Sequence, residues 1–127
     1  MYWKLAATFL LLVLANTNAG HPNYAIVVSI ATAEDAEWNK VVAALDSKHH
    51  AEVVKVDSLD DALPRLREWH PKHTCFVATP AEATREYVAK VHQLTRQYDD
   101  DPYTDTLWGI LTGFDAANAL TLSLIHI

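Results

Sequence analysis

The sequence predicts an α/β domain built on a parallel sheet of about four strands, with helices on both faces of the sheet. Short apolar runs rich in β-branched residues recur four times along the chain, and such runs are typical of strands buried on both faces. Each run is followed by a Ser or Thr with an Asp or Glu three residues later, which indicates the start of a helix. Four such units in succession predict alternating strands and helices.

The connections between the predicted strands indicate the topology. A crossover between parallel strands is right-handed in nearly all proteins, so helices on both faces imply a doubly wound sheet. We favour the flavodoxin-like strand order 2-1-3-4 over the Rossmann order. The four predicted strands are Tyr24–Ala31, Ala51–Val56, Thr74–Ala78 and Leu107–Leu111.

A hydroxyl side chain stands at each predicted strand end. The hydroxyl can accept a hydrogen bond from a free N–H group of the first helical turn, while the acidic residue reaches back. These positions follow the carboxyl ends of strands, so the hydroxyls and helix N-termini could instead bind an anion. We interpret them as helix caps, because each has its acidic partner. The four caps are Thr32, Ser58, Thr79 and Thr112.

Apolar residues at helical spacing follow the first three caps. Pro64 should kink the second helix, because an interior proline loses a backbone hydrogen bond. Pro80 should occupy the first position of the third helix. The residues expected on the buried faces are Trp38, Val41, Val42 and Leu45 in the first helix, Leu59, Leu63, Leu66 and Trp69 or His70 in the second, and Tyr87, Val88, Val91, Leu94 and Tyr98 in the third.

Residues 1–19 resemble a secretory signal peptide. Lys4 supplies a positive charge, Leu5–Ala15 is an apolar segment too short to span a bilayer, and Thr17 and Ala19 are small residues suited to cleavage after Ala19. An uncleaved anchor is the alternative. We therefore expect a secreted or periplasmic protein that does not contact the membrane after cleavage.

The carboxyl end of the sequence has an unusual composition. Residues 122–127 (LSLIHI) resemble the translation of a transposon-end sequencing adapter, although an ordinary helix or strand end is the alternative. We expect residues 20–121 to form an incomplete α/β domain and residues 122–127 to be an artefactual tail.

The composition excludes several classes of protein. The net charge of −6 argues against a nucleic-acid partner, which requires a basic face. The single cysteine, Cys75, excludes an internal disulfide framework and a four-cysteine zinc site. The chain has neither a phosphate-binding loop nor a dinucleotide fingerprint, so we expect no cofactor.

A few residues remain as candidates for chemistry. Cys75 lies inside a predicted buried strand, where a core role is favoured over a reactive thiolate. His49 and His50 stand at a predicted helix end, and a metal role there lacks a third ligand. Asp99, Asp101 and Asp105 are weak candidates for a hard cation such as Ca²⁺.

The spacing of these aspartates does not match a calcium-binding EF-hand. We interpret Asp99–Asp105 mainly as a turn before the fourth strand, bent at Asp101-Pro102, with Tyr103 and Trp108 packed against the domain.

From about Tyr24 to Leu120 the chain resembles secreted bacterial proteins with a gingipain-like, caspase-type cysteine peptidase domain. The family fold is also a parallel α/β sheet. The residues that carry the resemblance are Cys75–Ala78, Val91–Arg96, Asp100–Asp105, Trp108–Gly113 and Asp115–Leu120.

The resemblance implies that the parent protein acts on a protein or peptide substrate. It also implies that the catalytic His and Cys lie downstream, so no residue of this chain, Cys75 included, is assigned to the catalytic dyad. The alternative is a secreted, non-catalytic binding or interaction module with a flavodoxin-like fold. The oligomeric state is left open.

Overall fold

The computed structural model describes residues 21–125, and the predicted signal peptide and residues 126–127 lie outside this range. Strands and helices alternate along the described chain. In order, the elements are β1 (Tyr24–Ser29), α1 (Ile30–Glu34), α2 (Ala36–His49), β2 (Glu52–Val56), a 3₁₀ helix (Leu59–Ala62), α3 (Leu63–Trp69), β3 (His73–Val77), α4 (Arg85–Leu94), β4 (Leu107–Leu111) and α5 (Ala116–Ile125).

The four strands form one parallel sheet in the order β2-β1-β3-β4. This order confirms the predicted fold class and the flavodoxin-like arrangement of the strands. β1 is central and pairs with β2 on one side and β3 on the other, so the order reverses between β1 and β3. Such a reversal is the topological switch point of a doubly wound sheet.

Each face of the sheet carries its own hydrophobic layer. On one face, α2 and α5 cover Ile26, Val28 and Cys75. On the other face, α3 and α4 cover Val27 and Phe76. The residues at the centre of β1 are almost completely inaccessible to solvent, which explains why the β1 sequence is apolar without alternation.

The first cap differs from the prediction. A short helix, α1, follows β1 directly, and its N-cap is Ser29, whose side chain accepts from the Thr32 backbone N–H. Asp35 then caps α2 by accepting from the backbone N–H groups of Glu37 and Trp38. Thr32 is therefore not a helix cap, because it lies inside α1 and its hydroxyl is used elsewhere.

The segment around Ser58 follows the prediction more closely. Ser58 precedes the 3₁₀ helix, and its backbone N–H donates to the Asp61 carboxylate at 3.1 Å. Pro64 does not kink a helix, because α3 begins only at Leu63 and the proline lies in its first turn. At this position the missing N–H group costs no helical hydrogen bond.

The third helix begins later than predicted. Thr84, rather than Thr79, is the N-cap of α4 and accepts from the Tyr87 backbone N–H. Pro80 lies in a turn before the helix. The predicted buried face was also wrong at Val88, which is 44% exposed.

The residue that caps the fourth predicted helix is Asp115, which lies after the predicted cap, Thr112. The Asp115 carboxylate accepts from the Asn118 backbone N–H at 2.8 Å, directly before α5. Thr112 precedes this turn and does not cap the helix. α5 continues through residues 122–125, and the origin of residues 122–127 stays a prediction. Within residues 21–125, no helix has both the length and the apolar character needed to cross a membrane.

Candidate functional site

The carboxyl ends of β1 and β3 are joined by a hydrogen-bonded network at the switch point. Ser29 Oγ donates to Thr32 Oγ1 at 2.9 Å, and the Thr32 hydroxyl donates to the Glu82 carboxylate. The same Glu82 oxygen accepts from the backbone N–H and the hydroxyl of Thr79, each at 3.1 Å. Two predicted caps, Thr32 and Thr79, therefore meet on one carboxylate.

The electrostatics of Glu82 follow from this network. Burial alone would raise the pKa of Glu82, but hydrogen bonds from Thr32, Ser29 and Thr79 outweigh burial, so the pKa lies below its ordinary value. Glu82 is therefore an ionised acceptor at neutral pH. It joins two strand ends, and a carboxylate saturated with donors is poorly suited to act as a general base.

A cavity of about 290 Å³ opens beside this network on the α3–α4 side of the sheet. Its lining includes Ser29, Asp57, Glu82, Glu86 and Tyr87. Open α/β sheets bind ligands at this place. The lining also contains Lys90, but the lining carboxylates outnumber this one cation and would suit a cationic group. The remaining predicted cap, Thr112, lies at the carboxyl end of β4, where its buried hydroxyl has no hydrogen-bond partner among the described residues.

The candidate cation ligands Asp99, Asp101 and Asp105 are close together in space. Their carboxylate oxygens lie within 4.8 Å of one another. Each carboxylate also accepts from the backbone: Asp105 from the Tyr98 N–H at 3.0 Å, Asp99 from the Asp101 N–H at 3.0 Å, and Asp101 from the Tyr103 N–H at 2.8 Å. These bonds specify a turn.

Topology and exposure both favour the turn. The segment leads into the amino end of β4, opposite the switch point, and Asp99 and Asp101 are exposed. The prediction that Tyr103 packs against the domain was wrong, because this side chain is 75% exposed. Trp108 does pack against the α3–α4 layer.

Cys75 is buried on the α2–α5 face of the sheet, as predicted. Burial raises the pKa of its thiol to about 11, although hydrogen bonds involving the Tyr24 hydroxyl and the Leu111 backbone partly oppose this effect. Burial and the neighbouring thiol likewise raise the pKa of Tyr24. A thiol in this setting stays protonated at neutral pH and is a poor nucleophile.

Two histidines, His49 and His73, line the same cavity as Cys75. The sequence did not predict that these three side chains lie near one another. His49 is the last residue of α2, as predicted, and its ring stacks on Tyr24 with centroids 4.2 Å apart. His73 begins β3 beside Tyr24 in the sheet, with ring centroids 5.9 Å apart. The sequence offered one indication of this proximity. Side chains alternate between the two faces of a sheet, so His73 and Cys75 share a face, and Tyr24 joins them because it pairs with His73.

The histidines and Cys75 do not form a metal site. Among residues 21–125, the three aspartates of the turn are the one group of His, Cys, Asp or Glu side chains that brings three ligand atoms together. His50, the other histidine considered for a metal, ends α2 in the left-handed conformation.

The comparisons with known proteins give no relatives. No protein-family model, no curated protein and no solved structure matches this chain.

Proposed function

We propose that this chain is the amino-terminal α/β portion of a secreted, gingipain-like cysteine peptidase or of an inactive relative, and that it supplies no catalytic residue itself. The observation that supports the absence of a catalytic residue is the burial of Cys75, the one cysteine of the sequence. The parallel sheet in the order 2-1-3-4 agrees with the fold that the resemblance implies. The parent protein would act on a protein or peptide substrate.

The reactivity of Cys75 tests the inert part of this proposal. Iodoacetamide should modify Cys75 slowly in the native protein and rapidly in urea, because burial keeps the thiol protonated and inaccessible. Intact-protein mass spectrometry gives both rates. Casein incubated with the native protein should show no cysteine-dependent hydrolysis. Rapid native labelling, or hydrolysis that Cys75→Ser abolishes, would contradict the proposal.

The gene tests the peptidase part. We expect the coding sequence beyond codon 121 to specify a His-Gly pair and a cysteine at the end of a strand. A stop codon or a series of binding repeats at that place would instead favour the alternative function.

That alternative is a secreted, non-catalytic binding module. The observation that favours it is the open cavity beside Ser29 and Glu82 at the switch point, where doubly wound sheets bind ligands. In such a module the Glu82 network would support the floor of the binding site.

Both proposed functions require export of the protein. The segment that would direct export, residues 1–19, lies outside the described residues. We infer that the mature protein begins at Gly20, because the small residues Thr17 and Ala19 suit cleavage after Ala19. Intact-mass measurement of exported protein should give the mass of a chain that starts at Gly20. Protein that keeps residues 1–19 in a membrane fraction would show an uncleaved anchor.

A further inference from the structure

A second cavity lies beside the amino ends of β1 and β3 and extends along β4, on the face covered by α2 and α5. Its volume is about 300 Å³, at the lower end of the range of about 300–1,000 Å³ for ligand pockets. Leu45, Leu107 and Leu111 give it apolar walls, and Tyr24, His49, His73 and Cys75 supply its polar groups. We call this space the histidine cavity.

The charge of the histidine cavity differs from that of the rest of the molecule. The sequence contains sixteen Asp and Glu residues, yet none of the described residues that line this cavity is acidic. The other three cavities described in the structure each carry at least two carboxylates. The histidine cavity is therefore the one among these four that can accept an anion without repulsion from a lining carboxylate.

The polar groups of the cavity belong to rings that are nearly parallel. The planes of Tyr24 and His49 differ by 2°, and those of Tyr24 and His73 by 21°. Both imidazoles are half-buried, and both line the cavity while their rings stack on Tyr24. Apolar walls beside hydrogen-bond donors suit a small molecule with a flat apolar part and a polar end.

We propose that the histidine cavity binds a small aryl carboxylate, with the aromatic ring against the leucines and the carboxylate hydrogen-bonded to His49 and His73. The groups that carry this proposal lie outside residues 122–127, although Leu122 and Ser123 of α5 close one side of the cavity. The proposal is independent of the peptidase resemblance.

Binding of an anion should be coupled to protonation of the cavity. The pKa of His49 is lowered, first by burial and then by the positive charges of Lys48 and His73. Besides the two imidazoles, the titratable groups that line the cavity are Tyr24 and Cys75, which stay protonated and neutral because burial raises the pKa of each. The described residues of β4 and α5 at the cavity carry no titratable side chain.

A carboxylate placed beside the imidazoles reverses this balance. It favours the protonated form of His49, and by linkage the affinity for the carboxylate rises as pH falls through the imidazole range. The pH dependence therefore distinguishes recognition of the charge from simple burial of an aromatic ring.

Nuclear magnetic resonance of the imidazole groups tests the proposal directly. Phenylacetate is added to the protein at about pH 5 and about pH 8, on either side of the imidazole range. Neutral phenylacetamide is the matched control for charge. We expect saturable shifts of the His49 and His73 signals with phenylacetate, and affinity about tenfold higher at the lower pH, which corresponds to coupling of about one pKa unit.

Two variants localise the binding. Gly109 lines the cavity, and a Cβ built on it meets nothing within 4 Å, so Gly109→Leu should fill the cavity without strain. We expect this variant to lose phenylacetate binding while its melting temperature does not fall. His49→Gln should lose most of the pH dependence. His92→Gln is the control, because His92 contacts Trp108 on the opposite face of the sheet.

The outcomes separate cleanly. Loss of binding in Gly109→Leu with unchanged binding in His92→Gln supports the site. Equal binding of phenylacetamide, or affinity that does not change with pH, would overturn recognition of the carboxylate. Absence of binding at both pH values, or full binding by Gly109→Leu, would overturn the histidine cavity as the site.

Discussion

At the scale of single residues, Glu82 shows how a contact distant in sequence changes the role of a local motif. Thr32 and Asp35 have the spacing of a capping pair, yet Thr32 donates to Glu82, which is 50 residues away. Asp35 is then free to cap α2 alone. The sequence contains the acid and the hydroxyl, but only the sheet order brings the ends of β1 and β3 together, so this pairing could not be predicted locally.

The first prediction concerns Glu82→Gln. An amide oxygen accepts less strongly than a carboxylate, and the new amide N–H group would face the donors of Thr32 and Thr79. We expect a loss of about 1 kcal/mol in the free energy of unfolding at neutral pH, because a hydrogen bond to a part-buried charge is replaced. Urea denaturation measures this loss.

The same variant should also change the response to acid. The pKa of Glu82 is lowered in the folded protein, so its stabilisation is present above the unfolded pKa and is lost as pH falls through the folded pKa. Glu82→Gln should therefore lose less stability than the wild type between neutral and acidic pH. Glu86→Gln, at an exposed position, is the control, and an equal effect of both variants would exclude a role for the network.

At the scale of the elements, the positions of strands were easier to predict than the ends of helices. The predicted fourth strand coincides with β4, and the buried residues expected in the first helix, Trp38, Val41, Val42 and Leu45, are all buried in α2. These features depend on apolar periodicity, which the core enforces. A helix end depends on which of several nearby hydroxyl or carboxylate side chains accepts from the free N–H groups of the first turn. In this protein, tertiary contacts determine which side chain does so.

Two helices end at a histidine in the left-handed conformation, which the sequence did not indicate. His50 ends α2 with φ of 51°, and His70 ends α3 with φ of 46°. Glycine occupies this position in many helices, because a Cβ is strained there. The backbone N–H of each histidine nevertheless closes the helix by donating to the carbonyl four residues earlier.

The second prediction is that His50→Gly and His70→Gly each stabilise the protein. Relief of strain should outweigh the greater freedom of glycine in the unfolded chain, and we expect a gain of about 0.5–1 kcal/mol for each variant. Urea denaturation provides the measurement. His92→Gly is the control, because it lies inside α4 and should cost about 1 kcal/mol. Destabilisation by both cap variants would show that the histidine side chains contribute more than the strain costs.

At the scale of the whole molecule, the two edges of the sheet differ in their protection. β2 carries the exposed charges of Glu52 and Lys55, and charged side chains on an edge strand discourage pairing with other chains. β4 has no charged residue, and Leu107 is 65% exposed. The strand order 2-1-3-4 predicted from the sequence already places the second and fourth strands at the edges, but the exposure of Leu107 became visible only in the structure.

The last prediction follows from the backbone of β4. The Leu107 N–H donates to Lys72, and the Leu111 carbonyl accepts from Ala78, so the parallel register turns the peptide groups of Trp108 and Ile110 away from β3. Unpaired groups beside exposed apolar side chains favour pairing with another chain. We therefore expect the isolated protein to self-associate through β4 as its concentration rises.

Leu107→Lys tests this expectation, because a charge on the edge strand opposes pairing while the exposed side chain contributes little to the core. Sedimentation velocity over a range of concentrations should show association of the wild type and a monomer for Leu107→Lys, with similar melting temperatures at low concentration. Val88→Lys is the matched control, since Val88 is an exposed apolar residue of α4, away from the edge. If Val88→Lys suppressed association equally, net charge would be responsible; a wild type that stays monomeric would show that the β4 edge needs no partner.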